Sequence, residues 1–103
     1  MYKYWFALIT IFSTLLAYEG TVFWDQNGNG QKDPMEQYAQ NIRLSNGLAV
    51  TQTNANGAFS LPNTANARFI TLYLPANGQC EQWYQPIENK KRTYDFALTP
   101  TVQ

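Results

Sequence analysis

Short stretches of alternating polar and apolar residues, separated by closely spaced turn signals, run through most of the chain. Clusters of Asn and Gly, which favour tight turns, occur at residues 27–30, 46–47, 54–57 and 77–78. No window carries a helical period longer than one turn. The runs between the turn signals are rich in β-branched and aromatic residues and predict strands at 20–24, 41–45, 48–53, 58–61, 68–74 and 93–98. The pattern therefore predicts an all-β fold, a small sandwich of about six or seven short strands.

Two of these runs support more specific predictions. Residues 68–74 form the longest apolar run of the domain and are expected in the middle of a sheet. Asn46 and Gly47 are a two-residue turn signal, so the strands on either side of them are predicted to form a tight hairpin.

The first 17 residues have a different pattern. Lys3 is their single charge, and the apolar run that follows it ends at the small residue Ala17. A positive start, an apolar region and a small residue at the cut are typical of a secretory signal peptide. The run is shorter than the roughly 20 apolar residues of a membrane-spanning helix. We therefore predict a helical signal peptide at 1–17, cleaved after Ala17, and one domain at 18–103; an uncleaved anchor and a buried N-terminal helix are the alternatives.

Composition narrows the function further. Without Lys3, six basic residues face seven acidic ones, so nucleic acid and anionic membranes are poor partners. The chain has no histidine and a single cysteine, Cys80. No disulfide therefore forms within the chain, and no imidazole is available to activate a serine or Cys80. We interpret Cys80 as a structural thiol.

The mature protein is expected to be secreted, periplasmic or at the cell surface, with no stable membrane insertion.

One segment has the composition of a metal site. Residues 25–36 read DQNGNGQKDPME, with oxygen-bearing side chains at loop positions 1, 3, 5, 9 and 12 and Gly30 at position 6. This is the pattern of 12-residue calcium loops, and Ca²⁺ takes six to eight oxygen ligands, so the chain must curl around it. The predicted ligands are the side chains of Asp25, Asn27, Asn29, Asp33 and Glu36 and the backbone carbonyl of Gln31.

The flanks of this segment differ from those of an EF-hand. A predicted strand precedes it instead of a helix, and Lys32 stands at loop position 8, where an EF-hand has an apolar residue. The residues from Asp33 to Glu36 predict one capped helical turn, with Pro34 at its first position. We therefore expect a structural Ca²⁺ loop inserted into a β-domain; the alternative is a polar turn without a metal.

The remaining candidate sites are weaker. Trp83 and Tyr84 offer aromatic faces to a sugar, but adjacent strand residues point to opposite faces of a sheet. If the segment is extended, at most one of them can be exposed in that role, so we expect packing in the core or at a sheet edge. Trp24 is interpreted as a core residue and the basic trio at 90–92 as a solvated turn.

The order of these motifs resembles a group of exported β-sandwich domains. The chain resembles the transthyretin-like N-terminal domain of bacterial calcineurin-like phosphoesterases and, more distantly, the B-type domains of serine–aspartate-repeat surface proteins. The resemblance implies a transthyretin-like or immunoglobulin-like sandwich over almost the whole mature chain. It is carried by GTVFWD at 20–25, NGNG at 27–30 with Asp33 and Glu36, TNANGAFSLP at 53–62, the strand that ends at Pro75, the Trp83–Tyr84 pair and YDFALTP at 94–100.

The same resemblance sets the functional alternatives. In those phosphoesterases the domain precedes a catalytic domain that holds two metals with Asp, Asn and several His ligands. A chain without histidine cannot be that enzyme by itself. We predict an exported, calcium-stabilised accessory or interaction domain without catalysis of its own, whose partner is a C-terminal catalytic domain or another cell-surface or periplasmic protein. The alternatives are a fragment of a calcineurin-like metallophosphoesterase, and an adhesin spacer or carbohydrate-binding module.

Overall fold

Eight short strands in two four-stranded sheets make up the described part of the chain. The computed structural model describes residues 17–64 and 66–101. The strand order is β4–β1–β8–β6 in the first sheet and β3–β2–β5–β7 in the second. The strands are β1 Ala17–Trp24, β2 Arg43–Ser45, β3 Val50–Gln52, β4 Ala58–Pro62, β5 Phe69–Leu72, β6 Gly78–Gln79, β7 Tyr84–Pro86 and β8 Phe96–Pro100. The predicted all-β sandwich is confirmed.

Each of the six predicted strands is present, and the longest apolar run forms β5, which lies between β2 and β7 as predicted for a central strand. Two further strands, β6 and β7, escaped the sequence prediction. They contain two and three residues, which is too short for an alternating pattern to be recognised, and β7 ends in Pro86, a residue that normally argues against a strand.

The connection between β2 and β3 differs from the predicted two-residue hairpin. Ser45 pairs with Val50, so four residues form the loop. The side chain of Asn46 is buried in this loop, and its Oδ1 accepts hydrogen bonds from the backbone N–H groups two and three residues further on, at 2.9 and 2.8 Å. Its Nδ2 donates to the carbonyl of Pro62 in β4 at 2.9 Å. The longer loop forms because it satisfies this buried amide.

β1 organises the first sheet because it pairs on both sides. Its first half, residues 17–21, pairs antiparallel with β4, and residues 22–24 pair in parallel with β8. Gly20 allows the close approach of the segment that leads into β8, since a Cβ there would overlap the backbone carbonyl of Tyr94. The core between the sheets includes the fully buried Val22, Leu44, Leu61, Ile70, Leu72, Tyr94, Phe96 and Leu98.

The predicted signal peptide falls on residues that the structure does not describe, except for its last residue, Ala17, where β1 begins. Within residues 17–64 and 66–101, no helix has the length and apolar character that a membrane span requires.

Candidate metal centre

The segment 25–36 is an excursion from the end of β1, and the sheet holds both of its ends. The backbone N–H of Trp24 donates to the carbonyl of Gln37 at 2.8 Å, which closes the base of the loop. The N–H of Asp25 donates to the carbonyl of Leu98 in β8 at 2.6 Å. The loop is therefore attached to the two strands that form the centre of the first sheet.

Asp25 organises the first half of the loop. Only 2% of this residue is exposed. Its Oδ1 accepts a hydrogen bond from the N–H of Gly28 at 3.1 Å, and its Oδ2 accepts one from the N–H of Gly30 at 2.7 Å. Both glycines have positive φ angles, 72° and 80°, a conformation that glycine adopts without a steric penalty. The chain thus wraps around the Asp25 carboxylate.

Glu36 closes the loop from the other end and is also buried, with 7% of the residue exposed. Its Oε2 accepts from the N–H of Gln26 at 2.8 Å, and its Oε1 accepts from the N–H of Asp33 at 2.9 Å. The Glu36 N–H in turn donates to the Asp33 carbonyl at 3.0 Å. The predicted capped turn is therefore present as a single turn in which Glu36, and not the Asp33 side chain, does the capping.

Asp33 joins the two asparagines at the rim of the loop. Its Oδ2 accepts hydrogen bonds from Nδ2 of Asn27 at 2.8 Å and from Nδ2 of Asn29 at 3.0 Å. The Oδ1 atoms of the asparagines accept backbone N–H groups two residues further on, those of Asn29 and Gln31, at 3.2 and 2.9 Å. The loop is therefore closed on itself by side-chain oxygens.

All six predicted site residues lie in this loop, but the structure does not gather their carboxylates at one point. Across the described residues, no group of three His, Cys, Asp or Glu side chains is arranged to hold a metal ion. Asp25 and Glu36 bind backbone N–H groups at the base, whereas Asp33 lies at the rim. The available donors are carboxylate, amide and carbonyl oxygens, and each oxygen that accepts one hydrogen bond retains further lone-pair capacity. This donor chemistry fits a hard cation such as Ca²⁺.

Lys32 is the only basic residue of the loop, and its ammonium group contacts a backbone carbonyl and an aromatic ring. Its Nζ donates to the carbonyl of Asp33 at 2.9 Å and lies 4.8 Å from the centre of the Tyr38 ring. In the described part of the chain, Lys32 forms no ion pair with Asp25 or Glu36.

An open cleft of about 650 Å³ extends from Asp25 towards the segment before β7 and includes Cys80 and Gln85 in its wall. Burial raises the pKa of the Cys80 thiol. A raised pKa keeps this group protonated and weakly nucleophilic near neutral pH, which agrees with a structural thiol.

Trp83 and Tyr84 lie at a sheet edge and are more exposed than predicted. Both residues are exposed, at 44% and 49%, and their ring centroids are 4.8 Å apart. Tyr84 begins β7 at the edge of the second sheet, and Trp83 directly precedes it, with its carbonyl accepting a hydrogen bond from the N–H of Leu72 in β5 at 2.7 Å. Both rings are partly exposed, so the prediction that at most one faces solvent was wrong, whereas the expected packing at a sheet edge is confirmed. The polar residues around the pair in QWYQP are a sequence signal for exposure.

The fold and the loop define an all-β sandwich with an oxygen-rich insertion after its first strand. A family model described as the N terminal of calcineurin-like phosphoesterase matches residues 26–101. The match covers most of the loop and strands β2 to β8, and the chain belongs to this family. A comparison with the curated proteins found no significant match.

Proposed function

We propose that this chain is a calcium-stabilised, non-catalytic N-terminal domain of an exported calcineurin-like phosphoesterase. The family, described as the N terminal of calcineurin-like phosphoesterase, supports an N-terminal position in a longer parent protein. The observation that supports the calcium part of the proposal is the closed loop 25–36, in which two buried carboxylates accept hydrogen bonds from backbone N–H groups and the loop's single basic side chain binds a backbone carbonyl instead.

Calcium would have a structural role in this loop. Three carboxylates within twelve residues repel one another, and a Gly-rich loop is entropically costly to order. A bound divalent cation would offset both costs. The proposed ligands are the side chains of Asp25, Asn27, Asn29, Asp33 and Glu36 and the carbonyl of Gln31, and binding would bring together the carboxylates that lie apart in this structure. Because Asp25 is hydrogen-bonded to β8 and the loop base to β1, the benefit would reach the centre of the sheet.

The non-catalytic role follows from composition and from the family. Calcineurin-like chemistry uses paired metals with histidine among the ligands, and this chain contains no histidine. The proposal therefore assigns phosphoester hydrolysis to a separate catalytic domain of the parent protein. The present domain would serve as a non-catalytic accessory domain to it.

Export is supported by the sequence of residues 1–17, with its single Lys3 and apolar run. It is also consistent with the use of calcium, because extracellular calcium modules bind at roughly 10⁻⁴ to 10⁻³ M. A loop with only three carboxylates would suit such an environment.

Terbium luminescence tests occupation of the loop. Tb³⁺ is a hard oxygen-seeking ion of similar coordination, and Trp24 lies next to Asp25, within reach for energy transfer. We expect excitation of tryptophan to produce Tb³⁺ emission that excess Ca²⁺ abolishes. Glu36→Gln should weaken the emission strongly, and Lys32→Ala should retain it.

Near-UV circular dichroism of each variant shows whether it is folded. The proposal is overturned if the folded wild-type protein gives no sensitised emission, or if folded Glu36→Gln and Asp25→Ala emit as strongly as wild type.

A further inference from the structure

Three aromatic side chains form an exposed cluster at the edge of the second sheet. The aromatic cluster consists of Phe69 in β5, Trp83, and Tyr84 in β7. The Tyr84 ring is 5.9 Å from Phe69 and 4.8 Å from Trp83, with interplanar angles of 70° and 61°. The rings brace one another through edge contacts, and each residue remains nearly half exposed. Adjacent large rings at a surface mark a binding site more often than scattered apolar residues do.

A polar groove adjoins the aromatic cluster at Tyr84. It has a volume of about 520 Å³, within the roughly 300–1,000 Å³ of ligand sites. Gln85 is fixed in its wall, because its Nε2 donates to the carbonyl of Asp95 at 2.7 Å. The other hydrogen-bonding side chains of the wall are exposed to solvent: Glu81, Gln82, Glu88 and Lys91.

The chemistry of this surface favours one class of ligand. A sugar ring has an apolar face of C–H groups and an edge of hydroxyl groups that both donate and accept hydrogen bonds. The aromatic cluster matches the first, and the amide, carboxylate and ammonium groups of the groove match the second. The groove contains two glutamates and one lysine, so it has no excess of positive charge. Such a groove is unsuitable for binding nucleic acid or another polyanion.

The edge of the sheet also argues against a protein strand as the occupant. β7 is an edge strand and carries Pro86, which has no backbone N–H to donate to an added strand. We propose that the aromatic cluster and its groove bind a neutral carbohydrate chain. This inference is independent of calcium binding in the loop 25–36.

Native affinity electrophoresis tests the proposal with glucan, mannan, xylan and galactan in the gel, and with polygalacturonate as an anionic comparison. The protein should be retarded by at least one neutral polysaccharide. Trp83→Ala and Tyr84→Ala should each reduce the affinity by about tenfold or more, since each removes one stacking ring. Tyr73→Ala is the matched control, because Tyr73 is equally exposed, at 47%, but lies outside the aromatic cluster and the groove; it should change the affinity less than about twofold.

Absence of retardation by all four neutral polysaccharides would refute carbohydrate binding, as would equal losses in the Tyr73→Ala control. Sedimentation that shows a dimer of the wild-type protein, lost in Tyr84→Ala, would assign the surface to contact between two copies and would likewise overturn the proposal.

Discussion

Asp25 shows how one buried carboxylate can shape a long polar loop. It follows directly on β1, and its two oxygens accept the N–H groups of Gly28 and Gly30. These bonds require the positive φ angles of the two glycines, so the Asp and Gly positions of the motif depend on each other. The same carboxylate is the first predicted calcium ligand. Asp25 therefore orders the loop without a bound metal, and its contribution to stability can be measured in the metal-free protein.

Replacing Asp25 by Ala should destabilise the domain even in the presence of a chelator. The N–H groups of Gly28 and Gly30 would lose their acceptors, which costs about 1–3 kcal/mol. The free energy of unfolding from urea titrations measures this loss. Asp33→Ala is the control, because its carboxylate bonds exposed side-chain amides, and it should cost less than about 1 kcal/mol. Equal losses in the two variants would show that Asp25 does not organise the loop.

At the scale of elements, the connection from β7 to β8 is held by Tyr94. This residue is fully buried, and its ring packs edge-on against Tyr18 with centroids 5.8 Å apart. Its hydroxyl accepts a hydrogen bond from the N–H of Glu88 at 3.0 Å and donates one to the carbonyl of Lys91 at 3.1 Å. One side chain thereby fixes the turn that precedes β8, the strand that pairs in parallel with β1.

Tyr94→Phe should keep the ring in the core and remove both of these hydrogen bonds. We expect a loss of about 1–3 kcal/mol in the free energy of unfolding, because the Glu88 N–H and the Lys91 carbonyl lose their partner. Tyr84→Phe, at an exposed tyrosine, should change stability by less than about 0.5 kcal/mol. Chemical denaturation of the two variants gives the comparison, and an unchanged Tyr94→Phe variant would show that the turn does not depend on the hydroxyl.

The sequence predicted the elements whose signals are local. Strands bounded by Asn-Gly turns alternate in polarity, and the spacing of Asp25, Asn27, Asn29, Asp33 and Glu36 indicates an oxygen-rich loop. The sequence predictions were wrong where tertiary contacts determine the local structure. The loop after β2 is longer than predicted because the Asn46 amide reaches β4. Trp83 and Tyr84 are both exposed because β7 lies at the edge of its sheet, a position set by the tertiary fold.

The hydrogen bonds within the loop could not be predicted from the sequence, because they too depend on the tertiary fold. A motif gives the positions of oxygen atoms, but not which of them face backbone N–H groups. That choice depends on the φ angles of Gly28 and Gly30 and on the attachment of the loop to β8. The sequence therefore predicts the donor set of the site and leaves its arrangement to the fold.

At the scale of the whole molecule, the loop is hydrogen-bonded to β1 and β8, the two strands at the centre of the first sheet. Its base is closed beside β1, and Asp25 is hydrogen-bonded to β8. A small domain with a single free cysteine gains no stability from a disulfide, and such domains often use a metal instead. A cation that binds the folded loop far better than the unfolded chain would stabilise the entire sandwich by mass action.

Thermal unfolding with and without calcium is the most direct test of that claim. At a Ca²⁺ concentration one hundred times its dissociation constant, the free energy of unfolding should rise by about 2.7 kcal/mol. For a domain of this size the Tm should then rise on the order of 10 °C relative to the chelator. Glu36→Gln should lose most of the shift, Lys32→Ala should keep it, and Mg²⁺ should substitute poorly because it requires a smaller octahedral shell. Identical melting curves of the wild-type protein in chelator and in millimolar Ca²⁺ would contradict calcium stabilisation and reduce the loop to a polar turn.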